Sequence, residues 1–328
     1  MQKSPSMLFL GATGRIGSAL IRGIESALPN IRITALVRSV GGVGTLSDLG
    51  INIVHGNLDN LAQIVDLVSV ADIVVNAARS DCVALSQAIN IGLMNRRTSA
   101  RKPVLLHISQ AALNVRAQDA QSLHLQTAAY DDMDLARWVA DSSLVDNEIL
   151  QQSTNSSFLA FIVAPTWILG GTRRQITGRT HAISRVIRYA LVHRQVQIAN
   201  GMTAGNAVLL EDVVKTCIQI LRLVFSRNFR EPIDNAQLFF VPGSDFYWHE
   251  AGAIVARKLY RRHLVESETV YHVSDRHSPE LADLCRTADV VSRRSALWGL
   301  EPPRAFSVLE QIERDVEDIL SGWESASG

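Results

Sequence analysis

Met7-Leu8-Phe9-Leu10-Gly11-Ala12-Thr13-Gly14-Arg15-Ile16-Gly17 decides how the rest of the chain is read. Four apolar residues run straight into three glycines spaced three apart. Gly11 permits a sharp exit from a strand, Gly14 lets backbone approach a pyrophosphate, and Gly17 allows a helix to lie close on a sheet. The helix that follows presents free N–H groups and a positive dipole end to phosphates. Thr13, Arg15 and Ile16 fill the turn between the glycines and share its contact with a dinucleotide. The spacing alone is common. Its place between an apolar run and a helical stretch, at the head of an alternating chain, gives it weight.

Outward from that turn, short apolar runs alternate with helical stretches. Strands are expected at Met7–Leu10, Arg32–Val37, Ile51–His55, Ile73–Asn76, Val104–Ile108 and Phe158–Val163. Helices are expected at Ile16–Ala27, Leu58–Val68, Cys82–Leu93 and around Leu144–Gln152, with a glycine-rich loop at Gly41–Gly44. Continuous apolar strands alternating with helices predict an α/β fold of Rossmann type, a doubly wound parallel sheet covered on both faces. The second half has a less regular rhythm. Helices at Thr180–Val192, Val213–Phe225, Glu250–Leu259 and Ala305–Leu320 flank short strands at Val196–Ala199 and Leu238–Val241. The expected organisation is a dinucleotide-binding part, residues 1–165 with a returning segment near 206–241. A smaller substrate-binding region takes 166–205 and 242–328.

Composition narrows the function. The 328 residues carry 32 basic and 32 acidic side chains, a formal net charge of zero. Such a chain has no global field to hold nucleic acid or an anionic membrane. No apolar run approaches the roughly 20 residues of a membrane span. The first residues lead directly into a strand, so a cytoplasmic location and a small-molecule partner are expected; oligomeric state is not legible. Cys82, Cys217 and Cys285 are odd in number and far apart, which fits neither a disulfide framework nor a zinc site. No metal is expected.

Cofactor choice turns on the end of the second strand. An acidic residue there would bind a ribose 2′-hydroxyl; this chain has Arg38, with Arg15 in the turn. Two guanidinium groups favour a 2′-phosphate, hence NADP(H) over NAD(H).

With these residues in view, the chain resembles the short-chain dehydrogenase/reductase superfamily, in its extended or atypical branch with epimerase-like and NmrA-like members. Besides the glycine turn, the resemblance rests on Gly56-Asn57-Leu58-Asp59, Asn76-Ala77-Ala78 and His107-Ile108-Ser109. Ile162 to Gly170, Asn206 to Val213 and Trp298 to Pro302 continue it toward the C-terminus. It implies cofactor contacts at Asn57, Leu58, Ala77, Ala78, Pro165 and Ile168, and a catalytic serine at Ser109.

The family's proton device is missing. Its catalysis uses a Tyr with a Lys four residues on; the Lys lowers the Tyr pKa. Tyr130, Tyr189, Tyr247, Tyr260 and Tyr271 are followed at that spacing by Asp134, His193, Ala251, Leu264 and Asp275. Only four lysines exist, Lys3, Lys102, Lys215 and Lys258, and none lies between Pro103 and Asp212. The candidates left for catalysis are Ser109, Tyr130 as a displaced acid, and His181 in the loop after the sixth strand, with Gln110, Asp134, Asp141 and Trp167 near the cleft. Arg173 and Arg174 stand where the family's substrate loop lies and offer an anion a contact. Three functions stay open: an NADP(H)-dependent reductase with an unusual acid–base set, a non-redox isomerase, cyclase or lyase on the same scaffold, and an NmrA-like dinucleotide sensor.

Overall fold

Apolar runs become strands here because they are buried from both sides. The computed structural model describes residues 4–38, 43–96, 101–114, 129–134, 144–154, 158–171, 182–199, 204–226, 228–232, 236–273 and 289–327. In chain order the strands are β1 (Ser6–Leu10), β2 (Arg32–Val37), β3 (Asn52–His55), β4 (Ile73–Asn76), β5 (Val104–Ile108), β6 (Tyr130–Asp131), β7 (Leu159–Pro165), β8 (Trp167–Leu169), β9 (Val196–Ala199), β10 (Ala204–Leu209), β11 (Ala236–Val241), β12 (Ser244–Tyr247), β13 (Val270–Val273) and β14 (Val290–Val291). The helices are α1 (Arg15–Ala27), α2 (Val43–Asp48), α3 (Leu61–Ser69), α4 (Val83–Met94), α5 (Ala111–Asn114), α6 (Leu144–Thr154), α7 (Ala182–His193), α8 (Leu210–Val224), α9 (Trp248–Tyr260), α10 (Arg293–Leu297) and α11 (Val308–Ser327).

Seven strands form one parallel sheet in the order β11-β7-β5-β4-β1-β2-β3. Alternate residues feed opposite cores. Met7 and Phe9 of β1 pack on the side of α1 and α8, and Leu8 and Leu10 on the side of α3 and α4. The chain winds from β1 out through β2 and β3, then back across to β4. That reversal opens a crevice at the carboxyl ends of β1 and β4, where doubly wound sheets hold ligands.

The sequence boundaries shift for local reasons. Helix α3 begins at Leu61, later than its apolar pattern suggests, because the Asn60 side chain caps it by accepting from Gln63 N–H at 3.3 Å. Val43 and Gly44, expected in a loop, open the short helix α2. The sequence signalled none of β6, β8, β10, β12, β13 and β14, which have two to six residues each.

A second core lies under the C-terminal half. Trp167, α7, β9, α9 and α11 bury a cluster that includes Ile187, Val255, Ile312 and Val316. Trp167 meets Trp248 edge-on, ring centroids 5.5 Å apart. The segment around Trp298 is pinned to the main sheet. Its indole stands edge-on to Phe161 at 5.8 Å and to Phe239 at 5.3 Å, contacts of about 0.5–1.5 kcal/mol each beyond burial. No helix among the described residues is long and apolar enough to cross a membrane.

Candidate functional site

The glycine turn has the geometry its spacing demands. Gly11 sits at φ +89°, and a Cβ there would fall 2.7 Å from the Ala77 carbonyl oxygen. Gly14 N–H donates to Gly11 O at 3.0 Å, closing the turn. Gly14 then occupies the N-cap of α1 with no side chain to cap it, and the first turn carries no acidic residue. The positive end of α1 is therefore left for an external anion. A Cβ on Gly17 would fall 1.9 Å from Gly11 O. Gly17 is a packing residue beneath the turn and does not line the cleft.

That cleft has a volume of about 730 Å³ and runs along the carboxyl ends of the strands. Gly11, Thr13, Gly14, Arg15 and Ile16 form its floor. Leu36, Arg38, Gly56, Asn57 and Leu58 form one end, and Ala77, Ala78, Arg79 and Ser80 follow along the switch point. Ile108, Ser109, Gln110 and Leu113 lie beyond them. Pro165, Thr166, Trp167 and Ile168, with Ala182 and Arg185 from α7, close the other wall. These residues fit a nicotinamide dinucleotide: the uncapped helix end would face its diphosphate, and the described lining contains no carboxylate to repel it.

Arg15 has a different role from the one its position suggests. Its Nη2 donates to the carbonyls of Ile168 at 3.1 Å and Gly170 at 2.6 Å. Those residues follow β7, on the opposite side of β1 from β2 and its ribose end. Burial lowers the Arg15 pKa to about 10, with the Asp315 charge opposing the shift. Arg15 thus ties the turn to the C-terminal half. Arg38 is exposed just after β2 and lines that end of the cleft.

Ser109 follows β5 directly, within a buried polar chain. Leu105, His107 and Ser109 alternate onto the face covered by α6. Ser109 Oγ donates to Asp146 Oδ2 at 2.7 Å. His107 Nε2 lies 3.6 Å from Asp146 Oδ1. Behind it, Asn76 Nδ2 stands 3.1 Å from His107 Nδ1. Ala78 N–H donates to Asn76 Oδ1 at 3.2 Å, which fixes the amide orientation. His107 Nδ1 must then accept, and the ring proton sits on Nε2 toward Asp146. Burial lowers the His107 pKa despite the pull of Asp146, so the ring is neutral at pH 7. His107, Asp146, Ser109 and Asn76 are at most 2% exposed.

Of the other acid–base candidates, the described Tyr130 and Asp134 do not join this group. Tyr130 pairs with Val290 between β6 and β14, packs into the core and is not among the residues lining the cleft. It occupies a buried strand, not the loop from which a displaced acid would act. Asp134 is exposed beyond the same strand. His181, Asp141, Arg173 and Arg174 lie outside the described residues. No tyrosine or lysine is among the described residues that line the cleft.

Comparison with known proteins agrees with this architecture. Residues 3–93 match the NmrA-like family. The oxidase ucsJ of an Acremonium species is 22% identical across 94% of this chain and 97% of its own length. The dTDP-glucose 4,6-dehydratase of Bacillus anthracis, solved in complex with NAD, superposes with a TM-score of 0.64 at 13% identity, covering 98% of each chain. The yeast methylglyoxal/isovaleraldehyde reductase Gre2, solved with NADPH, gives 0.63 at 13% identity, over 98% of this chain and 99% of that one. This chain shares the Rossmann-type α/β fold of these structures, and its N-terminal stretch is NmrA-like.

Within that scaffold, sequence reading overlooked Asp146. A carboxylate early in a helix reads as a solvated first-turn residue; only the pairing of α6 with β5 shows that it is 0% exposed and bonded to Ser109. Arg79 and Arg185 were also passed over, since neither belongs to a motif.

Proposed function

We propose that the chain is an NADP(H)-dependent oxidoreductase acting on a small organic substrate, with Ser109 and Asp146 in place of a Tyr–Lys pair. The observation that carries this is the single cleft shared by the glycine turn and Ser109. A bound nicotinamide would supply or accept the hydride. The chain's own residues do the rest. Backbone at Gly14 to Ile16 holds the diphosphate, and Arg38 meets the 2′-phosphate. Ser109, its hydrogen given to Asp146, presents lone pairs to a substrate hydroxyl. Proton transfer from that hydroxyl to Ser109 Oγ, with the serine proton moving to Asp146, makes the pair a base; the reverse makes it an acid. Residues 1–165 with the returning segment 206–241 hold the dinucleotide in this reading, and 166–205 with 242–328 shape the substrate end.

The test is turnover: purified protein, NADPH or NADP⁺, and a panel of carbonyl compounds and alcohols, followed by absorbance of the reduced nicotinamide. Redox turnover with NADP(H) in preference to NAD(H) supports the reading. Product formation with no change in the nicotinamide would favour non-redox chemistry. The NmrA-like match favours a second reading, a dinucleotide-reporting protein; nucleotide binding with no turnover, together with nucleotide-dependent capture of a protein partner, would support it.

A further inference from the structure

Resting on that reading, we infer that the substrate end of the cleft takes a carboxylate-bearing organic substrate, anchored by Arg185. The cleft's described lining contains four arginines and neither Asp nor Glu, in a chain whose charges balance overall. Three of the four are accounted for. Arg15 is held by the Ile168 and Gly170 carbonyls, Arg79 is paired with Asp59 at 2.8 Å, and Arg38 stands at the β2 end. Arg185 is left at the opposite end, half-buried, with no carboxylate partner among the described residues.

Its place on the helix favours an anion beside it. Arg185 lies near the start of α7, where the helix dipole disfavours a cation, and that first turn has no acidic residue to offset it. A partly desolvated guanidinium gains most from a planar carboxylate, which it can bind through two parallel hydrogen bonds. The neighbouring wall is Leu113, Trp167 and Ala182. Among the described lining residues at this end, one guanidinium beside apolar surface suits a single negative charge on an apolar body. A phosphate dianion or a nucleoside diphosphate would need further donors.

The experiment measures binding by calorimetry and tryptophan fluorescence, with and without NADP⁺, for benzoate, cinnamate and octanoate against benzamide, cinnamamide and octanamide. At least one carboxylate should bind tenfold or more tighter than its amide. Arg185→Gln should erase that difference while leaving NADP(H) affinity within threefold, and Arg185→Lys should restore part of it. Equal binding of each acid and amide, no binding by any carboxylate, or a preference that survives Arg185→Gln would overturn the inference. The NADP⁺ titration separates the two levels. Failure to bind the nucleotide counts against the proposed function; nucleotide binding without a carboxylate preference counts against Arg185 alone.

Discussion

Arg15 Nη2 and the carbonyl oxygen of Gly170 are 2.6 Å apart, so the dinucleotide turn is fastened to the strand that opens the C-terminal half. The link continues. Gly170 N–H donates to Asp315 Oδ2 at 2.8 Å, and Gln311 Nε2 donates to Asp315 Oδ1 at 2.8 Å. One buried chain of hydrogen bonds therefore spans α1, β8 and α11. Arg15→Ala should lower the melting temperature, with a stability loss of about 1–3 kcal/mol from the orphaned Ile168 and Gly170 carbonyls. The ratio of NADPH to NADH affinity should stay within about twofold. A collapse of that ratio would return Arg15 to the 2′-phosphate.

Arg38→Ala tests the cofactor preference itself. Removing the cation at the β2 end should weaken NADP(H) about tenfold or more, ~1.4 kcal/mol, and leave NAD(H) within about twofold. Calorimetry with both nucleotides checks it. Equal losses would mean that Arg38 makes no contact special to the 2′-phosphate.

The glycines separate binding from folding. A methyl on Gly14 meets only Gly11 O, at 3.2 Å, and its φ of −74° suits any residue. Gly14→Ala should therefore keep a melting temperature near that of the parent while NADP(H) affinity falls tenfold or more. Gly17→Ala drives its methyl to 1.9 Å from Gly11 O and should destabilise the fold by about 1–3 kcal/mol or more. Matching effects of the two substitutions, by differential scanning fluorimetry and calorimetry, would refute these roles.

What the sequence made legible follows from range. The strands of the main sheet and the helices between them are written in local periodicity, and the glycine turn is a contiguous string. Strand β8 has three residues and β14 two, too few to show a period. Asp146 acquires its role from His107 and Ser109, more than thirty residues earlier, and no local pattern encodes that contact. Arg15 misled for the same reason: its position in the motif pointed to phosphate, while its partners stand more than 150 residues away.

His107 predicts a pH dependence. Its folded pKa lies below the ordinary 6.5 because burial disfavours the charged ring. Below pH 6.5 the unfolded chain binds a proton that the folded protein refuses. Stability therefore falls as pH drops below 6.5, with a slope of up to about 1.4 kcal/mol per pH unit from this group until the folded ring protonates. Above pH 6.5 the group contributes no slope. Denaturant titrations from pH 7 to 5 should show a shallower decline for His107→Asn than for the parent, whatever the absolute stability of the variant. Parallel curves would remove His107 as the source.

The proposed chemistry rests on Ser109 and Asp146. Ser109→Ala deletes the hydroxyl that links the cleft to the buried carboxylate, so turnover should fall at least tenfold, ~1.4 kcal/mol of transition-state stabilisation. Nucleotide affinity should stay within about threefold. Asp146→Asn keeps the shape but removes the acceptor that can take the serine proton. It should cost turnover by a similar factor and alter the pH profile of kcat, which a purely structural asparagine would leave in place. The two losses should not add, because both break the same relay. Tyr130→Phe, outside the cleft, should leave turnover within about twofold. A Tyr130→Phe variant as impaired as Ser109→Ala, or additive losses in the Ser109–Asp146 double variant, would reject the relay and reopen the choice of acid.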